Sequence, residues 1–209
     1  VRSYGKLVVD KAATASTATG GTGIAAIPAI DFARFGEVAM LPLTRIDKIT
    51  RDNMHRSWLN VPHVTQWDEA DVTDLEEFRA DMKSDMEKRK IKLTPLAFLL
   101  KASANALREH PKFNRSLHSD GDNFVQKNYI HIGVAVDTPM GLMVPVIRDV
   151  DKKALWDIGA EIAVLSEKAR NGKLMPADMQ GGCFTISSLG AMGGQGFTPI
   201  VNAPEVAIM

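Results

Sequence analysis

Two stretches rich in valine and isoleucine, residues 130–137 and 142–147, are separated by only four residues, Thr-Pro-Met-Gly. β-branched residues favour strands, and a short segment with proline and glycine favours a turn. The spacing therefore predicts a β-hairpin, which rules out an all-helical fold. A third, short and buried strand is predicted over residues 183–188.

Helical spacing surrounds this β-rich region. Apolar residues recur every three or four positions over residues 43–58 and again from residue 155, where the helix is expected to end at Asn171-Gly172. Residues 96–107 are apolar on nearly every face, so this helix is expected to be central. It follows Thr94 and Pro95, a helix N-cap and a first-turn proline.

A further helix and strand are predicted between these segments. Thr73-Asp-Leu-Glu76 matches a capping box, which predicts a charged helix from there to about Lys90. Residues 63–72 have a strand-like pattern. The chain is therefore assigned to the α/β (α+β) class, with alternating helices and strands.

The domain organisation follows from composition. Residues 12–30 consist mostly of Ala, Thr, Gly, Ser, Ile and Pro without a single charge before Asp31, which is typical of a flexible linker. Residues 1–11 have a short helical pattern and are expected to end a preceding domain. Residues 31–209 are expected to form the main domain.

Charge and cysteine content argue against several classes of function. The chain has 25 Lys and Arg residues against 25 Asp and Glu residues, and this neutral balance argues against binding to nucleic acid or to a membrane surface. It has a single cysteine, Cys183, and no close Cys/His spacing of a zinc site, so no metal is expected. A signal peptide or membrane span is not recognisable either, and the expected location is the cytoplasm.

Local motifs alone leave the chemistry open. The glycine-rich segment 190–196 has neither the Walker lysine nor the G-x-G-x-x-G spacing, so a tight connection is favoured over a phosphate loop. Ser187 and Ser188 follow a strand without a nucleophile elbow, which favours strand-end hydrogen bonding. Asp137 precedes a Thr-Pro turn, where aspartate often binds backbone amides.

Longer motifs give a family resemblance. Residues 133–146 (GVAVDTPMGLMVPV), 181–190 (GGCFTISSLG) and 199–208 (PIVNAPEVAI) together resemble the catalytic domain of the lipoate acyltransferases, and most closely its acetyltransferase branch from bacterial pyruvate dehydrogenase. Residues 60–65, 91–95 and 110–114 support the match. The resemblance covers about residues 31–209, and residues 1–11 look like the end of the family's peripheral subunit-binding domain.

The resemblance implies a fold, a reaction and site residues. Family members have the chloramphenicol acetyltransferase fold, a mixed sheet flanked by helices. They transfer acetyl between S-acetyldihydrolipoamide and coenzyme A. By motif match, Ser187 is the hydroxyl that donates to the tetrahedral oxyanion. The family's coenzyme A contacts correspond to the residues Arg79, Thr94, Asp137, Ser166, Ser187, Ser188 and Leu189.

The resemblance also implies partners. Family members form trimers with active sites between subunits, and eight trimers make a 24-subunit cubic core in the enterobacterial type. Their lipoyl group is carried on a separate lipoyl domain, and the upstream binding domain holds the E1 and E3 subunits of the complex.

One family motif is absent from this sequence. The family's general base is the histidine of an H-x-x-x-D-G motif located past the position of Met209, and the 209 residues contain no such motif. None of the five histidines has a matching context. The chain alone is therefore expected to be inactive, and the alternative function is that of a non-catalytic core or scaffold subunit of a 2-oxo acid dehydrogenase complex.

Overall fold

The computed structural model describes residues 27–190 and 193–209. The chain divides into two units, residues 1–42 and residues 43–209. In the described part of the first unit, the 3-10 helix Phe32–Arg34 is capped by Asp31, whose carboxylate accepts a hydrogen bond from the Ala33 amide at 3.2 Å. The predicted end of a preceding domain, residues 1–11, and most of the predicted linker lie outside the described residues.

The second unit contains the helices. Helix α1 spans Arg45–Asn60, α2 spans Thr73–Asp81, α3 spans Lys83–Arg89, α4 spans Pro95–Glu109 and α5 spans Leu155–Arg170. The helices predicted near residues 43–58, 96–107 and 155–170 are confirmed. Thr94 is the N-cap of α4, although its side chain makes no capping hydrogen bond.

The predicted capping box at Thr73 is wrong. Thr73 is already the first helical residue, the N-cap is Val72, and no side chain caps the helix. The Thr73 hydroxyl donates to the nearby carboxylate of Asp71 at 2.6 Å. Glu76 is likewise engaged, in an ion pair with Arg79. The helix also breaks at Met82 and does not run unbroken to Lys90, which has left-handed backbone geometry with φ 55°.

A capping box does occur at the start of α1. Thr44 Oγ1 accepts a hydrogen bond from the Asp47 amide at 3.2 Å, and the Asp47 carboxylate accepts one from the Thr44 amide at 2.9 Å. This reciprocal pair satisfies two amides at the helix N-terminus.

The strands form two small sheets. β1 (Arg115–Leu117) pairs antiparallel with β2 (Phe124–Gln126). β3 (Ile132–Val134), β4 (Val146–Ile147) and β5 (Phe184–Ile186) form a second sheet in the order β4-β3-β5, in which β3 is antiparallel to β4 and parallel to β5. The predicted hairpin and the predicted strand near residues 183–188 are confirmed.

The strand predicted over residues 63–72 is wrong. No residue of this segment joins a sheet of the described chain, and large side chains such as Val64 and Trp67 are exposed. The His63 ring instead fixes the start of the segment, because its Nε2 atom accepts a hydrogen bond from the Val201 amide at 2.9 Å. Side-chain contacts therefore replace a strand ladder here.

The core lies between the mixed sheet and helices α4 and α5. Leu100 of α4, Ile158 of α5 and Ile132 of β3 are fully buried in one cluster. Gly159 lets α5 approach the chain before α4, since a Cβ atom there would lie 3.2 Å from the Lys92 carbonyl oxygen. The helices thus hold a sheet whose parallel pair, β3 and β5, presents its carboxyl ends at one edge.

Candidate active site at the carboxyl ends of β3 and β5

The parallel pair brings two sequence motifs to one edge of the sheet. Val134 pairs with Ile186, and the Ala135 amide donates to the Ile186 carbonyl oxygen at 2.9 Å. The chain after β3, with Asp137, and the chain after β5, with Ser187, therefore leave the sheet at the same edge. In open sheets with parallel strands, ligands bind in crevices at this end of the strands.

The backbone of Ser187 is fixed by the last residues of the chain. Its amide donates to the Met209 carbonyl oxygen at 2.6 Å, and the Met209 amide donates to the Thr185 carbonyl oxygen at 3.0 Å. Thr185 also forms a parallel bridge with Ile208. These contacts extend β5 on its open side and hold Ser187 half-buried.

Ser187 lies where two cavities meet. The first cavity, of about 340 Å³, is lined by Leu99, by residues 186–190 and 193–197, and by Met209. The second, of about 450 Å³, is mostly apolar and is lined by side chains of α1, by residues 142–144 and by Thr185, Ser187 and Ile208 among others. Ser188 and Leu189 line the first cavity alone, whereas Ser187 contributes to both.

The glycine-rich segment forms a wall of the first cavity. Gly190, Gly193 and Gly194 have φ values of 52°, 71° and 111°, which only glycine adopts without strain. The Ser188 hydroxyl accepts a hydrogen bond from the Gly190 amide at 3.3 Å, so it stabilises this turn. Residues 191 and 192 of the segment lie outside the described residues, so the predicted tight connection stays a prediction.

Asp137 lies at the same edge but is exposed. The hydrogen bonds of the following turn come from its neighbour: the Thr138 hydroxyl donates to the Gly141 carbonyl oxygen at 2.6 Å and accepts from the Met140 amide at 3.2 Å. Thr138 therefore has the turn-capping role that sequence reasoning gave as an alternative for Asp137.

Arg79 and Thr94 form a separate group. Arg79 Nε donates to the carbonyl oxygen of Leu93, next to Thr94, at 2.9 Å, and its guanidinium pairs with Glu76. Neither residue lines the two cavities around Ser187. Helix α4 links this group to the first cavity. Thr94 is the N-cap of α4, and Leu99, which lines the cavity, lies five residues, or about 7.5 Å along the helix axis, after it.

Ser166 is apart from both groups. It lies half-buried on α5, and its carbonyl oxygen accepts a hydrogen bond from Arg170 Nε at 3.2 Å. The structure thus brings together Ser187, Ser188 and Leu189 and places Asp137 at the same edge, whereas Ser166 lines neither cavity.

Two histidines have structural partners. His63 accepts from the Val201 amide through Nε2, while its Nδ1 lies 2.6 Å from the Val61 carbonyl oxygen. His131 Nδ1 accepts from the Asp149 amide at 2.9 Å. These contacts give His63 and His131 structural roles, and the expectation that none of the five histidines is the base stays a prediction.

Sequence reasoning missed a buried acidic residue near the site. Glu205 is 5% exposed, and its Oε2 accepts a hydrogen bond from the buried Thr185 hydroxyl at 2.7 Å. Burial raises the pKa of Glu205 from 4.5 to about 7, against the opposing effects of the Thr185 hydrogen bond and the positive charge of Lys127. Its signal in the sequence is a single charge within the apolar segment 199–209.

The described part of the chain contains neither a metal-ligand cluster nor a membrane-spanning helix. Among residues 27–190 and 193–209, no cluster of three or more His, Cys, Asp or Glu side chains has the arrangement of a metal site. Within the same residues, no helix has the length and apolar character needed to cross a membrane.

Comparison with known proteins identifies the class of this fold and site. Residues 36–209 match the family of 2-oxoacid dehydrogenases acyltransferase (catalytic domain). The chain is 59% identical over 192 residues to the dihydrolipoyllysine-residue acetyltransferase component of the Pseudomonas aeruginosa pyruvate dehydrogenase complex, covering 92% of this chain and 35% of that protein. It spans about a third of the length of the curated relatives it matches.

Two solved structures have the same fold. One is an Azotobacter vinelandii dihydrolipoamide acetyltransferase, solved to study a serine, a histidine and an asparagine in its catalytic mechanism. The other is the cubic core of a pyruvate dehydrogenase multienzyme complex. Each has a TM-score of 0.87 and 58% identity, covering 88% of this chain and 76% of the solved chain.

The chain therefore belongs to the 2-oxoacid dehydrogenase acyltransferase family, of which it carries the catalytic domain. Its fold is the chloramphenicol acetyltransferase-like fold that the sequence resemblance implied.

Proposed function

We propose that the protein transfers acetyl between S-acetyldihydrolipoamide and coenzyme A, as the acyltransferase core of a pyruvate dehydrogenase complex. The observation that carries this proposal is the position of Ser187 at the junction of two cavities. Transfer between two thiols requires two substrates to reach one carbonyl group. A hydroxyl at the junction is able to meet that carbonyl when one substrate enters from each side.

The reaction consists of a proton transfer and an acyl transfer. A base removes the proton from the thiol of coenzyme A, and the thiolate attacks the thioester carbonyl to form a new C–S bond and an oxyanion. The Ser187 hydroxyl donates a hydrogen bond to this oxyanion. The intermediate then expels the dihydrolipoamide thiolate, which takes up the proton from the base.

The base in this proposal is the histidine of the family's H-x-x-x-D-G motif, which the 209 residues do not contain. The lipoyl group is expected on a domain outside these residues. The 209-residue chain alone is therefore proposed to fold but not to turn over.

Coenzyme A is proposed to bind on the side of the first cavity. Ser187, Ser188 and Leu189 line this cavity, and Asp137 lies at the same sheet edge. Arg79 and Thr94 are proposed to contact the distal part of coenzyme A, since an arginine suits a phosphate group. Ser166 is included from the family match alone.

Assembly and domain division are also proposals. We propose a trimer that assembles into 24 subunits, with lipoyl domains and the E1 and E3 subunits as partners. The cubic core among the solved relatives supports a multimeric core assembly. We place the end of the subunit-binding domain at residues 1–11, the linker at 12–30 and the catalytic domain at 31–209. The single cysteine, which cannot form an intramolecular disulfide, supports a cytoplasmic location.

An assay of the full-length protein tests the proposal. Acetyl-coenzyme A and dihydrolipoamide should give acetyldihydrolipoamide at a rate well above that with succinyl-coenzyme A, and the 209-residue chain of verified mass should give none. A full-length protein that assembles but transfers no acyl group would instead support the non-catalytic core subunit. Turnover by the 209-residue chain would show that the base has been misassigned.

A further inference from the structure

The C-terminal segment 205–209 is attached to β5 at both of its ends. At one end the Glu205 carboxylate accepts from the Thr185 hydroxyl at 2.7 Å. At the other end Met209 bonds the carbonyl oxygen of Thr185 and the amide of Ser187. The segment that holds the Ser187 backbone is thus itself held by a buried carboxylate.

Thr185 also shares a cavity with Ser187. Side chains two residues apart on a strand point to the same side of the sheet. Both residues line the mostly apolar cavity of about 450 Å³. The Thr185 hydroxyl donates a hydrogen bond to Glu205, so its orientation is set by a group that does not line that cavity.

Strand β3 has a glycine opposite Thr185, which leaves space for the Thr185 side chain. Gly133 pairs with Thr185, and a Cβ atom at Gly133 would lie 2.9 Å from Thr185 Oγ1 and 2.8 Å from Val144 Cγ1. Real Cβ atoms do not approach other atoms this closely, so the Thr185 side chain occupies space that glycine leaves free. The hydroxyl therefore lies against Gly133 and is hydrogen-bonded to Glu205.

Glu205 is anchored independently of this contact. Its amide donates to the Asn202 carbonyl oxygen at 3.1 Å, and the adjacent Pro204 carbonyl oxygen accepts from the Ser116 hydroxyl at 2.5 Å. Asn202 also lines the 450 Å³ cavity. The carboxylate thus projects from a fixed turn toward β5.

We infer that Glu205 is a positioning residue for acyl transfer: through the Thr185 hydroxyl and strand β5, its carboxylate keeps Ser187 at the junction of the two cavities. This inference rests on the proposed function. It assigns Glu205 no contact with either substrate, and it predicts an effect on turnover with little effect on binding, because the oxyanion forms only in the transition state.

Substitutions at Thr185 test the inference in the full-length assembled protein. Thr185→Val keeps the side-chain shape but removes the hydroxyl, and should lower kcat about 10-fold while both KM values stay within about 2-fold. Thr185→Ser restores the donor and should recover kcat to within about 2-fold of the original value. Glu205→Gln keeps an acceptor of the same size and should retain most of the turnover.

A buried polar residue outside the cavities serves as control. Asn114 is 3% exposed and donates to the carbonyl oxygens of Lys127 and Tyr129 at 3.0 and 2.9 Å. Asn114→Ala should lower the melting temperature but leave kcat unchanged. Thr185→Ala provides the same comparison if the valine variant does not fold.

Three results would overturn the inference. The first is an unchanged kcat in Thr185→Val. The second is an equal loss of kcat in Thr185→Val and Asn114→Ala. The third is a kcat of Thr185→Ser no higher than that of Thr185→Val. Ser187→Ala measured alongside separates the two proposals. If the original full-length protein transfers no acetyl group, the proposed function fails. If the original protein is active and Ser187→Ala loses turnover while Thr185→Val does not, only the role of Glu205 fails.

Discussion

The end of β5 and the end of α2 both carry residues assigned to the same site, but they hold them differently. Ser187 is fixed through its backbone, between a parallel strand on one side and the last residues of the chain on the other. Arg79 is instead fixed through its half-buried side chain, by an ion pair with Glu76 and by a hydrogen bond to the Leu93 carbonyl oxygen. The backbone contacts fix the position of Ser187, whereas the side-chain contacts of Arg79 place a positive charge near the proposed coenzyme A site.

The difference matches the demands of the two roles. An oxyanion donor has to meet an atom that appears only in the transition state, so small displacements are costly. A group that binds the distal part of a cofactor acts equally in the ground state and the transition state and tolerates movement. Changes near β5 should therefore affect turnover, and changes at Arg79 should affect binding.

The largest effect is expected from Gly133→Ala, which would force a Cβ atom against Val144 and Thr185. We expect a loss of unfolding free energy of about 3 kcal/mol, the upper end for overpacking, with a parallel loss of turnover. Denaturant unfolding and the acetyl-transfer assay measure both quantities.

Gly36→Ala is the matched control, because a Cβ atom there would meet nothing within 4 Å. It should change neither quantity. Full stability and activity in Gly133→Ala would show that β5 can shift without consequence. The positions of Ser187 and Arg79 would then be equally tolerant of movement.

An intermediate effect is expected from the ionisation of Glu205. Because burial raises the pKa of Glu205 from 4.5 to about 7, the folded state favours the protonated form. Stability due to this group is therefore greatest below pH 4.5 and is lost as the pH rises toward 7. The expected loss is on the order of 1–3 kcal/mol.

Glu205→Gln removes this ionisation and serves as the reference. Melting temperatures at fixed protein concentration, measured from pH 4 to 8, should fall more steeply for the original protein than for Glu205→Gln between pH 4.5 and 7. Parallel curves would mean that Glu205 is not buried in the assembled protein.

The smallest effect is expected from Arg79→Ala, which should raise the KM for coenzyme A by about 3- to 10-fold and change kcat less, as for loss of one charge-assisted contact. Arg108→Ala removes an exposed arginine that bonds Asn105 on α4 and should leave that KM unchanged. An unchanged KM in Arg79→Ala would remove Arg79 from the site.

Sequence reasoning succeeded where the pattern is local. The turn at residues 138–141 and the apolar helix α4 follow from short-range preferences, and Ser187 to Leu189 are adjacent in the sequence, so one motif locates all three. It failed at Thr73, where the helix begins one residue earlier than a capping box requires. It also failed at residues 63–72, where a contact with the chain at Val201 replaces strand pairing.

Glu205 shows a different limit. Its partner Thr185 is 20 residues away in sequence, and the contact exists only because the C-terminal segment returns alongside β5. A single charge among apolar residues indicates a buried partner but does not identify it. The pairing of Arg79 with Leu93 is likewise a tertiary contact that no spacing reveals.

The most direct test of the account compares Ser187→Ala with Ser188→Ala in the full-length protein. Ser187→Ala should lower kcat by roughly 10²- to 10³-fold with little change in either KM, since it removes a donor to the oxyanion. Ser188→Ala should have a much milder effect, because that hydroxyl supports a turn. Equal and small effects of the two substitutions, or unfolding of Ser187→Ala, would contradict the assignment of Ser187 as the oxyanion donor.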